Sequence, residues 1–123
     1  MIAGVTVLLV AAGGLIGVLA RYGLGTTVSA DNRPWMIFAI NMAGSFLLGA
    51  VLPWSDTLSD SVRAGIAVGF CGGFTTFSTV SVQVFLDARG GDTSFALLYL
   101  AASIAGGVVA AALGYYAGRA IAA

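Results

Sequence analysis

The stretch GFCGGFTTFSTVS, residues 69–81, decides how this chain is read. It lies inside a charge-free run from Ala64 to Leu86, long enough to cross a membrane, yet it is poorly written for a helix. Gly69, Gly72 and Gly73 come first, and five hydroxyl residues follow: Thr75, Thr76, Ser78, Thr79 and Ser81. Glycine costs a helix about 1 kcal/mol relative to alanine, and Ser/Thr hydroxyls compete for backbone hydrogen bonds. A chain that places such a run at membrane depth has a use for it.

The membrane reading comes from the surroundings. Of 123 residues, 59% are hydrophobic and 8% charged, with a mean hydropathy of +1.02. These values exclude an ordinary soluble domain. Further charge-free runs extend from Ile2 to Ala20, Trp35 to Ser55 and Thr93 to Gly118. Each can span a hydrocarbon core of about 30 Å. Nothing basic precedes Ile2, so the first run reads as a retained span, not a signal peptide. The breaks carry turn residues and charge, and none is long enough to separate domains. Residues 1–123 therefore read as a single four-helix membrane domain.

The charged residues narrow the function. All five cations are arginine and all five anions aspartate, and the formal net charge is zero. No basic field suggests nucleic acid. Without histidine, and with Cys71 alone, the chain offers neither a zinc site nor an internal disulfide. Every aspartate lies in a loop or at a span end, so the carboxylate that a proton-coupled multidrug exporter needs at depth is missing. With a cytoplasmic N-terminus, Arg63 and Arg119 lie on that side and Arg21, Arg33 and Arg89 on the other. Such a weak bias suits insertion in both orientations and antiparallel pairing with a second copy. Glycine ridges at four-residue spacing, such as Gly65, Gly69 and Gly73, suit close helix packing in lipid. They would also suffice for a non-conducting assembly subunit.

What lies at depth is neutral and rich in donors: Asn41, the hydroxyls of the third span, Gln83 and Ser103. Thr75, Ser78 and Thr79 share a helical face, with Gln83 one turn beyond. Hydroxyl and amide groups donate to anions, and phenylalanine edges carry partial positive charge. Cys71-Gly72-Gly73 is the expected site of helix unwinding, where freed carbonyls would suit a monovalent cation. An ion pathway is the reading.

These residues resemble a known family. GFCGGFTTFSTVS, INMAGSFLLG from Ile40, and RYG at Arg21 are similar to the Fluc (CrcB) fluoride channels, and the resemblance covers all four spans. It implies a channel and not an enzyme: an antiparallel, dual-topology dimer with paired fluoride pores and a central structural sodium ion. Such a protein exports cytoplasmic fluoride passively across the cell (plasma) membrane, here a bacterial inner membrane. By position, the resemblance places Asn41, Phe77, Ser78, Thr79, Tyr99 and Ser103 along the fluoride pathway. It places Gly72 and Thr75 carbonyls on sodium, and Arg21 at the end of the first span, in the vestibule. Val80 stands where a second pore phenylalanine is expected, Gln83 where a vestibule glutamate is expected, and Met36 to Phe38 replace a small polar triplet. These departures leave room for a non-identical second subunit.

Overall fold

The computed structural model describes residues 3–122. The expected start of the first span at Ile2 lies outside the described residues. Four helical spans, Gly4–Thr26, Ala30–Trp54, Asp60–Arg89 and Thr93–Ala122, make this an all-α, multi-pass membrane protein.

The first span is α1 (Gly4–Thr26) and the second is α2 (Arg33–Val51), with a 3-10 turn at each end of α2. The third is composite: α3 (Asp60–Ala64), a π-helical segment (Gly65–Cys71), α4 (Gly72–Phe74) and α5 (Phe77–Arg89). The fourth is α6 (Thr93–Ala122). Ser59 caps α3 by accepting the Val62 N–H at 3.2 Å, the hydroxyl chemistry that helix starts favour. Arg63 pairs with Asp60 at 2.6 Å and donates to the Ser55 carbonyl at 2.9 Å, tying the second span to the third.

The glycine ridges seat the helices against each other. A Cβ on Gly69 would lie 2.6 Å from the Val10 carbonyl oxygen, and one on Gly73 2.7 Å from that of Gly14. On α1, Gly13 and Gly17 meet the backbone of Gly65 and Phe70 in the same way. Gly49, Gly114 and Gly118 repeat the arrangement between α2 and α6, against the carbonyls of Ala111, Phe46 and Ala50. In lipid, where apolar burial does not drive association, such backbone contact is what holds helices together. A small core of Ile37, Ile40, Phe74, Val80 and Tyr99 fills the centre. Trp35 closes it at one end, edge-on to Phe38, Phe95 and Tyr99.

Two boundaries differ from the sequence reading. Helix α1 continues through Arg21 to Thr26, because arginine is a good helix former and its guanidinium has a partner. Its Nε donates to the Gly73 carbonyl at 3.2 Å. The break in the third span falls at Thr75–Thr76, not at Gly72-Gly73, whose backbone is helical. Thr75 is extended at ψ 159° and Thr76 at φ −152°, ψ 116°. The glycine pair stays helical since Gly73 is pressed against Gly14. The threonines leave the helix because side chains of α2 and their own hydroxyls take over the backbone groups.

Candidate functional site at the helix break

The break is built by α2. Asn41 and Gly44 lie one turn apart and face it together. Asn41 Oδ1 accepts the Thr76 N–H at 2.9 Å, and Asn41 Nδ2 donates to the Thr76 carbonyl at 3.1 Å. A continuous helix would direct that N–H at the Gly72 carbonyl, so the Asn41 bracket frees this carbonyl. Gly44 leaves the space that the Thr75 methyl occupies; a Cβ there would collide with Thr75 Cγ2. Thr76 then caps α5, its Oγ1 accepting the Thr79 N–H at 3.2 Å. Thr76 also shares hydroxyl hydrogen bonds with Ser78 (3.3 Å) and Thr79 (3.0 Å). Capping in this way satisfies donors that hydrocarbon cannot.

Beside the break lies a cavity of about 210 Å³, bordered by Asn41, Thr75, Thr76, Phe77, Val80 and Ser103. No charged side chain lines it among the described residues. Ser103 Oγ is buried at its wall and has no hydrogen-bond partner among the described residues. Val80 is only 2% exposed, whereas Phe77 is 71% exposed. Ser45, one turn along α2 from Asn41, borders this cavity. It also borders a smaller one of about 130 Å³, which reaches Cys71, Gly72 and Thr75. Cys71 is a small buried residue there.

Not every residue singled out in the sequence meets at this place. Asn41, Phe77, Val80 and Ser103 converge on the larger cavity. Ser78 and Thr79 are linked to it only through the Thr76 hydroxyl, and Thr79 faces a second cavity with Arg21. Tyr99 is fully buried in the core and donates its hydroxyl to the Pro34 carbonyl at 2.7 Å. Gln83 donates to both carboxylate oxygens of Asp87, at 3.1 and 3.0 Å, and borders a groove with Asp31 and Asp92. Ordinary back-bonding accounts for two hydroxyls: Thr75 Oγ1 donates to the Cys71 carbonyl at 2.8 Å, and Ser81 Oγ to that of Phe77 at 3.0 Å. Sequence reasoning counted Thr76 only among the donor hydroxyls of the third span, with no capping role, and did not single out Ser45. A hydroxyl residue directly before an amphipathic run is a capping signal, and Ser45 follows Asn41 at i+4.

A broken third span clamped by an asparagine from the second, next to an uncharged donor-lined cavity, defines a membrane protein built around a helix break. Its relatives give the family. The model for CrcB-like protein, Camphor Resistance (CrcB), matches residues 8–115, and the chain belongs to that family. It is 44% identical over 119 residues to a fluoride-specific ion channel FluC of Thermus thermophilus, covering 93% of this chain and 94% of the relative. The FluC of Chlorobium luteolum is 43% identical over 119 residues, covering 93% and 92%. That of Chlorobaculum tepidum is 46% identical over 107 residues, covering 83% and 85%.

Proposed function

We propose that the chain is a fluoride-selective channel that lets cytoplasmic fluoride leave the cell passively. The observation that carries this reading is the cavity at the break, uncharged among the described residues, with Asn41, Thr76 and a Ser103 hydroxyl that finds no partner among them at its walls. A small anion sheds water only where donors replace its hydration shell. Neutral donors do so without holding the ion as tightly as a buried cation would. The relatives named above as fluoride-specific channels match nearly the whole chain and supply the identity of the anion.

The working unit is an antiparallel pair of chains. The near-even division of arginines between the two ends supports it. So does Phe77, which borders the cavity yet is largely exposed, as an aromatic ring would be in a pathway completed by a second copy. A sodium ion between the copies would be held by the Gly72 and Thr75 carbonyls of each. The Gly72 carbonyl fits this role, since its helical N–H partner is taken by Asn41. Such an ion would balance the carbonyl dipoles and pin the two breaks together.

The test is efflux from liposomes containing only this chain. Fluoride should leave and chloride should stay. Equal efflux of both, or none of either, rejects the proposal.

A further inference from the structure

Most of the polar groups that line the cavity at the break are already engaged. Asn41 spends its amide on the Thr76 backbone. Thr75 Oγ1 donates to the Cys71 carbonyl, and Thr76 Oγ1 caps α5. Two lining hydroxyls have no hydrogen-bond partner among the described residues, those of Ser103 and Ser45. Thr75 and Ser81 turn back on the carbonyl one turn before them, the usual habit in a membrane helix. Ser45 makes no such bond to Asn41.

The wall beside Ser45 is bare. Helices α2 and α6 run together in the same direction, so Asn41 and Ser45 stand one turn apart on one wall, and Ser103 and Gly107 on the other. A Cβ on Gly107 would lie 3.8 Å from Ser45 Oγ and 3.9 Å from Met42 Cε, which is ordinary contact. The other glycines of α6 have less room: on Gly106, Gly114 or Gly118 a Cβ would come to 3.0 Å or closer to an atom of α2. Close packing therefore does not account for Gly107, and glycine weakens a helix interior. What its missing side chain does is keep open the part of the cavity that Ser45 borders.

We infer that Ser45 is a further anion-contacting residue: its hydroxyl, beside the bare backbone of Gly107, takes the anion one helical turn beyond Asn41 and Ser103. A single free hydroxyl is a poor substitute for a hydration shell, and a second donor along the path gives the anion its next partner as it leaves the first. A hydroxyl has one donor and two acceptor sites. Ser45 can therefore donate to an anion in the larger cavity and accept from water in the smaller one, which it also borders. A residue that only packed here would need no hydroxyl. The inference rests on the channel reading.

The test separates the donor from its bulk and reads fluoride efflux from liposomes containing one variant at a time. Ser45→Ala should slow efflux between about threefold and tenfold, the range of one lost hydrogen bond. Ser45→Cys, close in size but a weak donor, should be slowed as much. Gly107→Ser added to Ser45→Ala returns a hydroxyl from the other wall, where there is room for it, and should restore most of the flux. Wild-type efflux in Ser45→Ala overturns the inference. So does wild-type efflux in Ser45→Cys, or a loss that Gly107→Ser does not relieve, either of which makes Ser45 a packing residue. A wild-type chain that passes no fluoride removes the channel reading instead, and this inference with it.

Discussion

Asn41 and Thr76 are joined twice: Oδ1 of the amide accepts the Thr76 N–H at 2.9 Å, and Nδ2 donates to the Thr76 carbonyl at 3.1 Å. One side chain thus replaces the acceptor that a continuous helix would have given the Thr76 N–H, and adds a donor to the carbonyl that opens α5. Backbone polar groups left unpaired in hydrocarbon are costly. The bracket is therefore a condition for the break to exist, quite apart from any contact with an ion.

Substituting Asn41 separates these roles. Asn41→Asp keeps the acceptor for the Thr76 N–H and loses the donor, and a carboxylate beside the pathway repels an anion. Fluoride flux should be abolished, with a stability loss of about 0.5–1.5 kcal/mol for the one lost hydrogen bond to a carbonyl that α5 still holds. Asn41→Leu loses both bonds and should unfold more readily in detergent than Asn41→Asp. If Asn41→Leu melts with the wild type, the bracket is not holding the break.

Gly44 and Thr75 make a pair that can be tested by compensation. Gly44→Ala drives a methyl into Thr75 Cγ2 and should destabilise by about 1–3 kcal/mol through overpacking. Thr75→Ser removes that methyl and keeps the hydroxyl that donates to Cys71. The double variant should recover most of the lost thermal stability. Simple additivity of the two changes would show that they do not meet.

The two glycines before the break should respond oppositely to alanine. A Cβ on Gly72 meets nothing within 4 Å, whereas one on Gly73 lies 2.7 Å from the Gly14 carbonyl oxygen. Since both are helical, Gly72→Ala should keep or raise helix stability by up to about 1 kcal/mol, and Gly73→Ala should lower it. Thermal melts in one detergent decide. A strongly destabilised Gly72→Ala would return the unwinding to Gly72-Gly73.

The spans were legible because charge marks their ends: all four charge-free runs became helices. The ridges were legible as close contacts because four-residue spacing puts glycines on one face. The position of the break was not, since Gly72-Gly73 and Thr75-Thr76 are both poor helix segments locally. The choice between them is made by Asn41, Gly44 and Gly14, which come from other helices. Tyr99 shows the same limit. The resemblance sets it with Ser103 on the fourth span, and no local pattern reveals that its hydroxyl is held by Pro34, a partner 65 residues away. The bond from Gln83 to Asp87, by contrast, is local at i+4 and could have been read from the chain.

Val80 tests the width of the cavity. It is almost fully buried, packs in the core with Ile40 and Tyr99, and also borders the cavity beside Asn41. The cavity is the open space that Val80 borders, so a phenylalanine ring here would draw on it. Val80→Phe should therefore change fluoride flux about threefold or more, with an overpacking cost of about 1–3 kcal/mol. Phe77→Ile, which removes the exposed aromatic edge, should damage flux with little change in stability. Unchanged flux in Val80→Phe, in a folded protein, would take Val80 off the pathway.

Ser103 gives the sharpest separation of folding from function. Its Oγ is buried and has no partner among the described residues, so the folded chain bears the desolvation of that hydroxyl without return. Ser103→Ala removes the unsatisfied group and leaves no other donor or acceptor stranded. Stability should stay level or rise, by up to about 1 kcal/mol, the opposite of what deleting a bonded buried hydroxyl does. Flux should move the other way. If this hydroxyl is kept free to donate to a dehydrated anion, Ser103→Ala should slow fluoride efflux about tenfold, the equivalent of one lost hydrogen bond of about 1.4 kcal/mol. Ser103→Thr keeps the donor and should retain more flux than alanine, at the cost of fitting one methyl. A variant that is more stable and equally conductive would show that Ser103 merely borders the cavity; one that is less stable would show that its hydroxyl has a partner in the folded protein.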